Sequence, residues 1–260
     1  MSITKIDRDN GKVYCACAIC GKEIIADYPE ADAELAEIAL GFMENIVCDS
    51  CKAAEESERA KEEEHQRKLH WNLVFPERLA MSGIKKRFQN MQAPFVRSAA
   101  IVFYDNRDRN LLVAGETGSG KTSSACFVAQ WMMKNCGTKV KYHTRKSIFQ
   151  AYVNAKTADD SYSVERFYAN NIDRIDLLIV DEMVGKKGDR MSPAEQEFFF
   201  DLVDGVYSGD HGCKLWLLGN FYAGCIDRLF EDANPLKRRL EECFLLKELM
   251  QNGKERTIRI

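Results

Sequence analysis

From about residue 109 onward, short apolar runs alternate with segments of helical period. RNLLVAG reads as a buried strand, Ser123 to Lys134 as a helix, KVKYHT as a second strand and Ile175 to Val180 as a third, apolar throughout. SPAE then writes a helix start: Ser192 can cap it, Pro193 suits the first helical position and Glu195 completes a capping box. Phe198, Phe199, Leu202, Val203 and Val206 fall on one face of that helix, and KLWLLGN supplies a fourth strand. Strands alternating with helices predict an α/β fold, a parallel sheet with helices on both faces.

Before Trp71 the pattern differs. KAAEESERAKEEEHQRK, residues 52–68, lacks Gly, Pro and any apolar stripe, while Glu55/Arg59, Glu63/Arg67 and Glu64/Lys68 make favourable i,i+4 pairs. That predicts a solvated helical connector, with His65 and His70 on its charged surface. Nearer the N-terminus, Leu35, Ile38, Ala39 and Phe42 recur at helical spacing and predict a short amphipathic helix. The expected organisation is a small module over 1–52, a charged helical linker over 53–78 and the main domain over 79–260.

Composition narrows the class. A chain of 260 residues with 45% hydrophobic and 30% charged positions matches a folded globular protein and excludes collagen-like or wholly disordered readings. Lys and Arg number 37 against 40 Asp and Glu, a net charge of −3, which argues against coating nucleic acid by bulk charge. No apolar run approaches the roughly 18 residues of a membrane span, and the polar opening MSITKIDRDNGK offers no signal-peptide core, so a cytoplasmic protein with no membrane partner is expected. The ten cysteines are then expected to be reduced.

GETGSGKT, spanning Gly115, Glu116, Thr117, Gly118, Ser119, Gly120, Lys121 and Thr122, matches the phosphate-loop pattern and lies between a strand and a helix, where that chemistry needs it. Its glycines let backbone N–H groups turn around a β-phosphate, and the helix N-terminus adds partial positive charge. Lys121 would neutralise β- and γ-oxygens of ATP, and the Thr122 hydroxyl suits Mg²⁺, which prefers oxygen ligands. The strand IDLLIVDE ends in Asp181, a second candidate Mg²⁺ ligand acting through water, and Glu182, placed to serve as a general base on an attacking water. KLWLLGN brings Asn220 to the end of the next strand, where an amide could orient that water or sense the γ-phosphate. A strand between the phosphate-loop helix and the Asp–Glu strand, with Glu directly after Asp, resembles the additional-strand ATPases.

The order SGIKKRFQN, GETGSGKT, IDLLIVDE, KLWLLGNF and NPLKRRLEE resembles the DnaC/IstB-type AAA+ ATPases, over about residues 70–250. The resemblance implies a P-loop AAA+ sheet, Mg²⁺-dependent ATP hydrolysis and a homo-oligomer in which an arginine finger reaches a neighbour's γ-phosphate. Arg239 occupies the finger position, with Arg228 and Arg238 as competitors, and Asn220 is similar to the family's sensor residue. Where many members carry an Arg-Tyr pair before the sensor strand, this chain has Val206-Tyr207. About fifteen residues follow Leu245, too few for a separate helical lid. The function implied is that of a DnaC-like loader that binds a replicative DNA helicase and single-stranded DNA; an IstB-like transposition helper and a nonenzymatic ATP-gated adaptor are the alternatives.

A second site is written in cysteine spacing. Cys17-Ala-Ile-Cys20 and Cys48-Asp-Ser-Cys51 are two C-x-x-C knuckles, and four thiolates suit a closed, structural Zn²⁺ site in a zinc-ribbon-like module, with Cys15 able to stand in for Cys17. Residues 1–52 carry five basic against ten acidic side chains, which favours a protein partner over phosphate backbones. Elsewhere, Lys141, Arg145, Lys146, Lys156 and Arg166 interleave with Tyr142, Phe149, Tyr152, Phe167 and Tyr168, a mixture that can grip a single strand; at helical spacing the same aromatics also suit a core.

Overall fold

The computed structural model describes residues 3–7, 12–27, 47–89, 97–184, 190–220, 234–250 and 255–257. The chain divides into two compact units, Met1–Arg67 and Lys68–Ile260. The expected amphipathic helix over 31–45 and the candidate finger Arg228 lie outside the described residues.

In the first unit β1 (Ile3–Asp7), β2 (Lys12–Ala16) and β3 (Glu23–Asp27) form an antiparallel sheet in that order. The turn joining β2 to β3 is the first cysteine knuckle: Gly21, at φ 73°, donates its N–H to the Cys17 carbonyl, and Cys17 N–H donates to Lys22. The second knuckle opens α1, the 33-residue helix Asp49–Met81. Its polar stretch is solvent-exposed, His65 and His70 included.

The second unit is built on a mixed sheet. In chain order come α2 (Arg97–Asp105), β4 (Asn110–Gly115), α3 (Lys121–Asn135), β5 (Val140–Thr144), α4 (Arg145–Lys156), α5 (Ser163–Tyr168), β6 (Leu177–Asp181), α6 (Pro193–Ser208), β7 (Lys214–Leu218), α7 (Asn234–Cys243), β8 (Phe244–Leu249) and β9 (Glu255–Thr257). Among the described residues the strand order is β5-β6-β7-β4-β8-β9, parallel except for β9. The phosphate-loop strand β4 is therefore central, and β7 separates it from the Asp–Glu strand β6. That is the additional-strand arrangement, with the α/β P-loop sheet expected of the AAA+ class.

Side-chain alternation along the strands builds two cores, one on each face. Leu112, Ala114, Leu178, Val180, Leu215 and Leu217 face one cluster, which includes Phe198, Phe199, Leu202 and Val203 of α6. Leu111, Val113, Leu177, Ile179, Trp216 and Leu218 face the other, with Ala125, Ala129 and Met133 of α3 and with Phe75 and Leu79 of α1. Trp216 is fully buried and keeps its indole N–H bonded to the Arg109 carbonyl, which satisfies its polar atom.

Two elements were not written plainly in the sequence. The helix α1 continues through Pro76 to Met81, because Phe75 and Leu79 bury against the sheet and Arg78 donates to the Gly137 carbonyl at 2.5 Å. Strand β8 begins directly after α7 with no turn residue between them, and it is held by register pairing with every residue of β4, from Asn110↔Phe244 to Gly115↔Leu249.

The interleaved aromatics belong to the core. Tyr142 and Phe167 are buried, and Phe149, Tyr152 and Tyr168 pack against the first cluster, with Tyr152 stacked on Phe198 at 4.7 Å. Arg145 is buried with its guanidinium 3.1 Å from Glu195. Of the two readings of these aromatics the core one holds: they pack inward from β5, α4 and α5 and do not form an exposed stacking platform. The capping box at α6 is also corrected: Ser192 accepts the N–H of Glu195, but the Glu195 carboxylate pairs with Arg145, since a buried guanidinium requires a counter-charge.

Candidate nucleotide site and cysteine centre

The loop after β4 and the ends of β6 and β7 enclose a cavity of about 850 Å³. Thr117, Gly118, Gly120, Lys121, Thr122, Asp181, Glu182 and Asn220 line it, so most of the site residues read from the sequence converge. Gly115 closes β4 at φ 151°; a Cβ there would meet the Leu249 carbonyl at 2.5 Å, so only glycine fits where β8 passes. Gly118 and Gly120, at φ 88° and 83°, turn the loop into α3.

Lys121 is folded into its own loop. Its Nζ donates to the carbonyls of Gly115 at 2.5 Å and Glu116 at 2.8 Å, and to Ser119 Oγ and Asn220 Oδ1 at 3.3 Å each. Burial lowers its pKa from the ordinary lysine value, with Asp181 and Glu116 pulling the other way. A phosphate oxygen would replace loop carbonyls as the acceptor, so the ammonium is already aimed at the place where anion charge would sit.

Asp181 is 5% exposed and accepts three hydrogen bonds. Its Oδ2 accepts Thr122 Oγ1 at 2.7 Å and the Tyr142 hydroxyl at 2.8 Å, and Oδ1 accepts the Glu182 N–H at 2.8 Å. Burial, then the adjacent Asp181 charge, push the Tyr142 phenol well above its usual range, so it remains a proton donor. Oxygen donors from Thr122 and Asp181 thus meet at the cavity wall, a donor set that fits Mg²⁺.

Glu182 holds a left-handed backbone, φ 58°, and points its carboxylate outward, with Lys85 Nζ 3.9 Å away. A glutamate in that region costs of order 1–3 kcal/mol, a strain that concentrates at functional sites. At such exposure the Lys85 pair contributes little to stability.

Sequence reasoning missed the wall formed by Arg87 and Phe88, which line the cavity with the Arg87 guanidinium 4.6 Å from the Phe88 ring centre. The segment is anchored from two sides: Gln89 donates to the Ile84 carbonyl, and Gln130 donates to the Phe88 carbonyl at 2.7 Å. Its basic and aromatic composition, KKRF, was the available signal.

Arg239 is not among the cavity-lining residues. Its Nε donates to Asp204, its Nη1 donates to the Pro235 carbonyl at 3.2 Å, and its guanidinium lies 4.7 Å from the Phe200 ring and 5.8 Å from that of Tyr207. Arg238 is more exposed and bonds Glu242, which also accepts the Tyr207 hydroxyl.

In the first unit, the thiols of Cys17, Cys20, Cys48 and Cys51 lie within 4.8 Å of one another. Tetrahedral Zn²⁺ with Zn–S of about 2.3 Å needs sulfurs about 3.8 Å apart. The Cys20–Cys48 separation is 3.7 Å, so the donor set fits. Backbone N–H groups of Cys48 and Ile19 reach Cys17 Sγ at 3.4 Å, and such donors, that of Cys48 foremost, hold its pKa down to about 6. Cys15 is not part of the cluster: its buried thiol donates to the Ile24 carbonyl at 3.7 Å.

Among the described residues no helix is long and apolar enough to cross a membrane.

Comparison with known proteins gives one family and several distant likenesses. The Myosin-2 of Arabidopsis thaliana is 32% identical over 82 residues, 28% of this chain, and the chain spans 7% of that protein's length. The crystal structure of the DnaC helicase loader aligns at 18% identity over 64% of this chain and 99% of that one, with a TM-score of 0.44. AMPPCP-bound DnaA from Aquifex aeolicus aligns at 18% identity over 64% of this chain and 50% of its own, also at 0.44. A primosome component from Streptococcus pyogenes serotype M3 aligns at 14% identity over 61% and 79%, at 0.42. The family described as IstB-like ATP binding protein matches residues 23–213, nearly three quarters of the sequence, and this chain, with its phosphate loop opening α3 and its carboxylates at the end of β6, belongs to it.

Proposed function

We propose that this protein is a Mg²⁺-dependent ATPase that acts as a DnaC-like loader, engaging a replicative DNA helicase and single-stranded DNA. The observation that carries the ATPase reading is the convergence of Lys121, Thr122, Asp181, Glu182 and Asn220 on one cavity. Gly115 to Thr122 cradle the phosphates through backbone N–H groups, and Lys121 meets their charge. Thr122 directly and Asp181 through a water would hold Mg²⁺, which would supply charge to neutralise phosphate oxygens. Glu182 takes the proton of the attacking water, and Asn220 orients that water. Arg239 completes a neighbouring subunit's site, in a homo-oligomer assembled through residues 79–260.

In this reading residues 1–52 form a zinc-binding, partner-binding module, Cys17, Cys20, Cys48 and Cys51 its ligands, and 53–78 a charged linker. The excess of acid over base in 1–52 supports a protein partner. A cytoplasmic location follows from the proposed work on DNA. The alternative is an IstB-like transposition helper acting on duplex DNA, a reading compatible with the family description as an IstB-like ATP binding protein. Stimulation of hydrolysis by duplex in preference to single-stranded DNA would select it.

The defining experiment measures nucleotide affinity and turnover in two variants. Lys121→Ala is expected to lose ATP binding by at least tenfold. Glu182→Gln is expected to retain binding and to lose turnover by about 100-fold or more, since an amide cannot accept the proton. Undiminished hydrolysis by Glu182→Gln would overturn the assignment, and absence of hydrolysis in the unaltered protein with its helicase and DNA would leave an ATP-gated adaptor.

A further inference from the structure

Asp181 is held by a donor that the phosphate-loop motif does not provide. A carboxylate offers about four lone-pair positions. Three are taken here: Thr122 Oγ1 and the Tyr142 hydroxyl saturate Oδ2, and the Glu182 N–H occupies one position on Oδ1. The remaining acceptor position is therefore on Oδ1.

Tyr142 is itself fixed. It is 3% exposed on the edge strand β5, its N–H donates to the Ser82 carbonyl at 2.7 Å, and a Cβ on Gly83 would approach its carbonyl oxygen to 2.5 Å. On the other edge β5 pairs with β6, Tyr142 opposite Ile179 and Thr144 opposite Asp181. Backbone contacts on both edges leave the phenol little freedom, so its hydroxyl defines where Oδ2 sits.

We infer that Tyr142 is a positioning residue for the metal: it saturates Oδ2 of Asp181 and so fixes the carboxylate with its one open acceptor position on Oδ1, ready for a metal-bound water. This rests on the reading of the cavity as a Mg²⁺–nucleotide site. Removing the hydroxyl frees Oδ2, lets the carboxylate turn and spreads its acceptor positions over two oxygens. Partners one step behind a metal ligand are commonly worth about 10- to 100-fold in metal affinity.

The test uses the full chain with Tyr142→Phe, which keeps the ring. Binding of a fluorescent ATP analogue is titrated against Mg²⁺, and Mn²⁺ binding in the presence of a non-hydrolysable ATP analogue is followed by electron paramagnetic resonance. The Mg²⁺ midpoint is expected to rise about tenfold and Mn²⁺ affinity to fall by a similar factor. Analogue binding in excess chelator should stay within about twofold. A purely structural role would lower the thermal midpoint of unfolding and leave the metal midpoints where they were, and that result overturns the inference. Tyr142→Leu, which also lacks the donor, must shift the metal midpoints in the same direction if the phenylalanine variant does not fold. If the unaltered protein binds the analogue with no dependence on Mg²⁺, the reading of the cavity falls and the inference falls with it; a Mg²⁺ dependence that Tyr142→Phe leaves unmoved removes only the inference.

Discussion

Lys121 shows how burial and function oppose each other in one side chain. Burial strips its ammonium of water and holds its pKa below the ordinary lysine value, although Asp181 and Glu116 pull it upward and carbonyls of its own loop accept its hydrogen bonds. The folded state then binds this proton less readily than the unfolded chain, and stability without nucleotide rises as pH climbs through the lowered pKa. Phosphate binding needs the opposite form, the charged one. ATP affinity is therefore expected to decline with rising pH through a range below that of a solvated lysine, and Lys121→Arg, which stays charged, should flatten the decline. Dissociation constants measured across that range in both proteins decide it. Glu182 stores its strain next door, in a left-handed backbone that one of its own neighbours stabilises, since its N–H is bonded to Asp181.

Helix starts and a buried ion pair set the shape of the site at the level of elements. Arg145 opens α4, Glu195 lies in the first turn of α6, and Arg145 also donates to the carbonyl of Met183, the residue after Glu182. One guanidinium thus ties two helices to the chain leaving the Asp–Glu strand. Glu195→Ala would leave that charge buried and without its carboxylate, at a cost of about 3–5 kcal/mol. For a unit of this size the thermal midpoint should fall on the order of 10 °C. An isosteric Glu195→Gln keeps an acceptor and should cost less. Calorimetry of the three proteins tests the ordering; equal midpoints would mean that the pair does not lock the helices.

The whole molecule joins two sites of different chemistry, each inside its own unit. The thiol cluster uses residues of the first unit only, and the cavity uses residues of the second. Purified protein is expected to hold one zinc ion per chain, and chelation should unfold the first unit while ATP affinity stays within about twofold. Metal analysis of Cys48→Ser checks the ligand set, since full zinc retention would rule it out. Assembly is the other property of this scale. Arg239 lies outside its own chain's cavity, held by Asp204 and two aromatic rings, so its proposed action is on a neighbour. Mixing Arg239→Ala with Lys121→Ala protein should restore part of the hydrolysis that each alone lacks. No restoration between folded, co-assembling variants would count against Arg239 and turn the same test to Arg238 and Arg228.

The sequence by itself determined the parts whose information is local. An apolar run ending in glycine, followed by GSGKT, is a strand, a phosphate loop and a helix because backbone conformation and burial are both written within fifteen residues. The C-x-x-C pairs are legible for the same reason, as each knuckle is a single tight turn. Tertiary structure decided whatever depends on a partner far along the chain. NPLKRRLEECFLLKELM has no break between helix and strand; β8 exists because the free edge of β4 takes up its hydrogen bonds. Tyr142, Arg145 and the aromatics of α4 and α5 look in sequence like a surface for nucleic acid, and only packing against α6 and β6 turns them inward. Glu195 chose a buried arginine over its own helix end, because an unpaired internal charge costs more than an unfilled cap. KKRF shows only that a basic and aromatic segment is present; what sets Phe88 at the cavity is its carbonyl's bond from Gln130, a partner far along the chain.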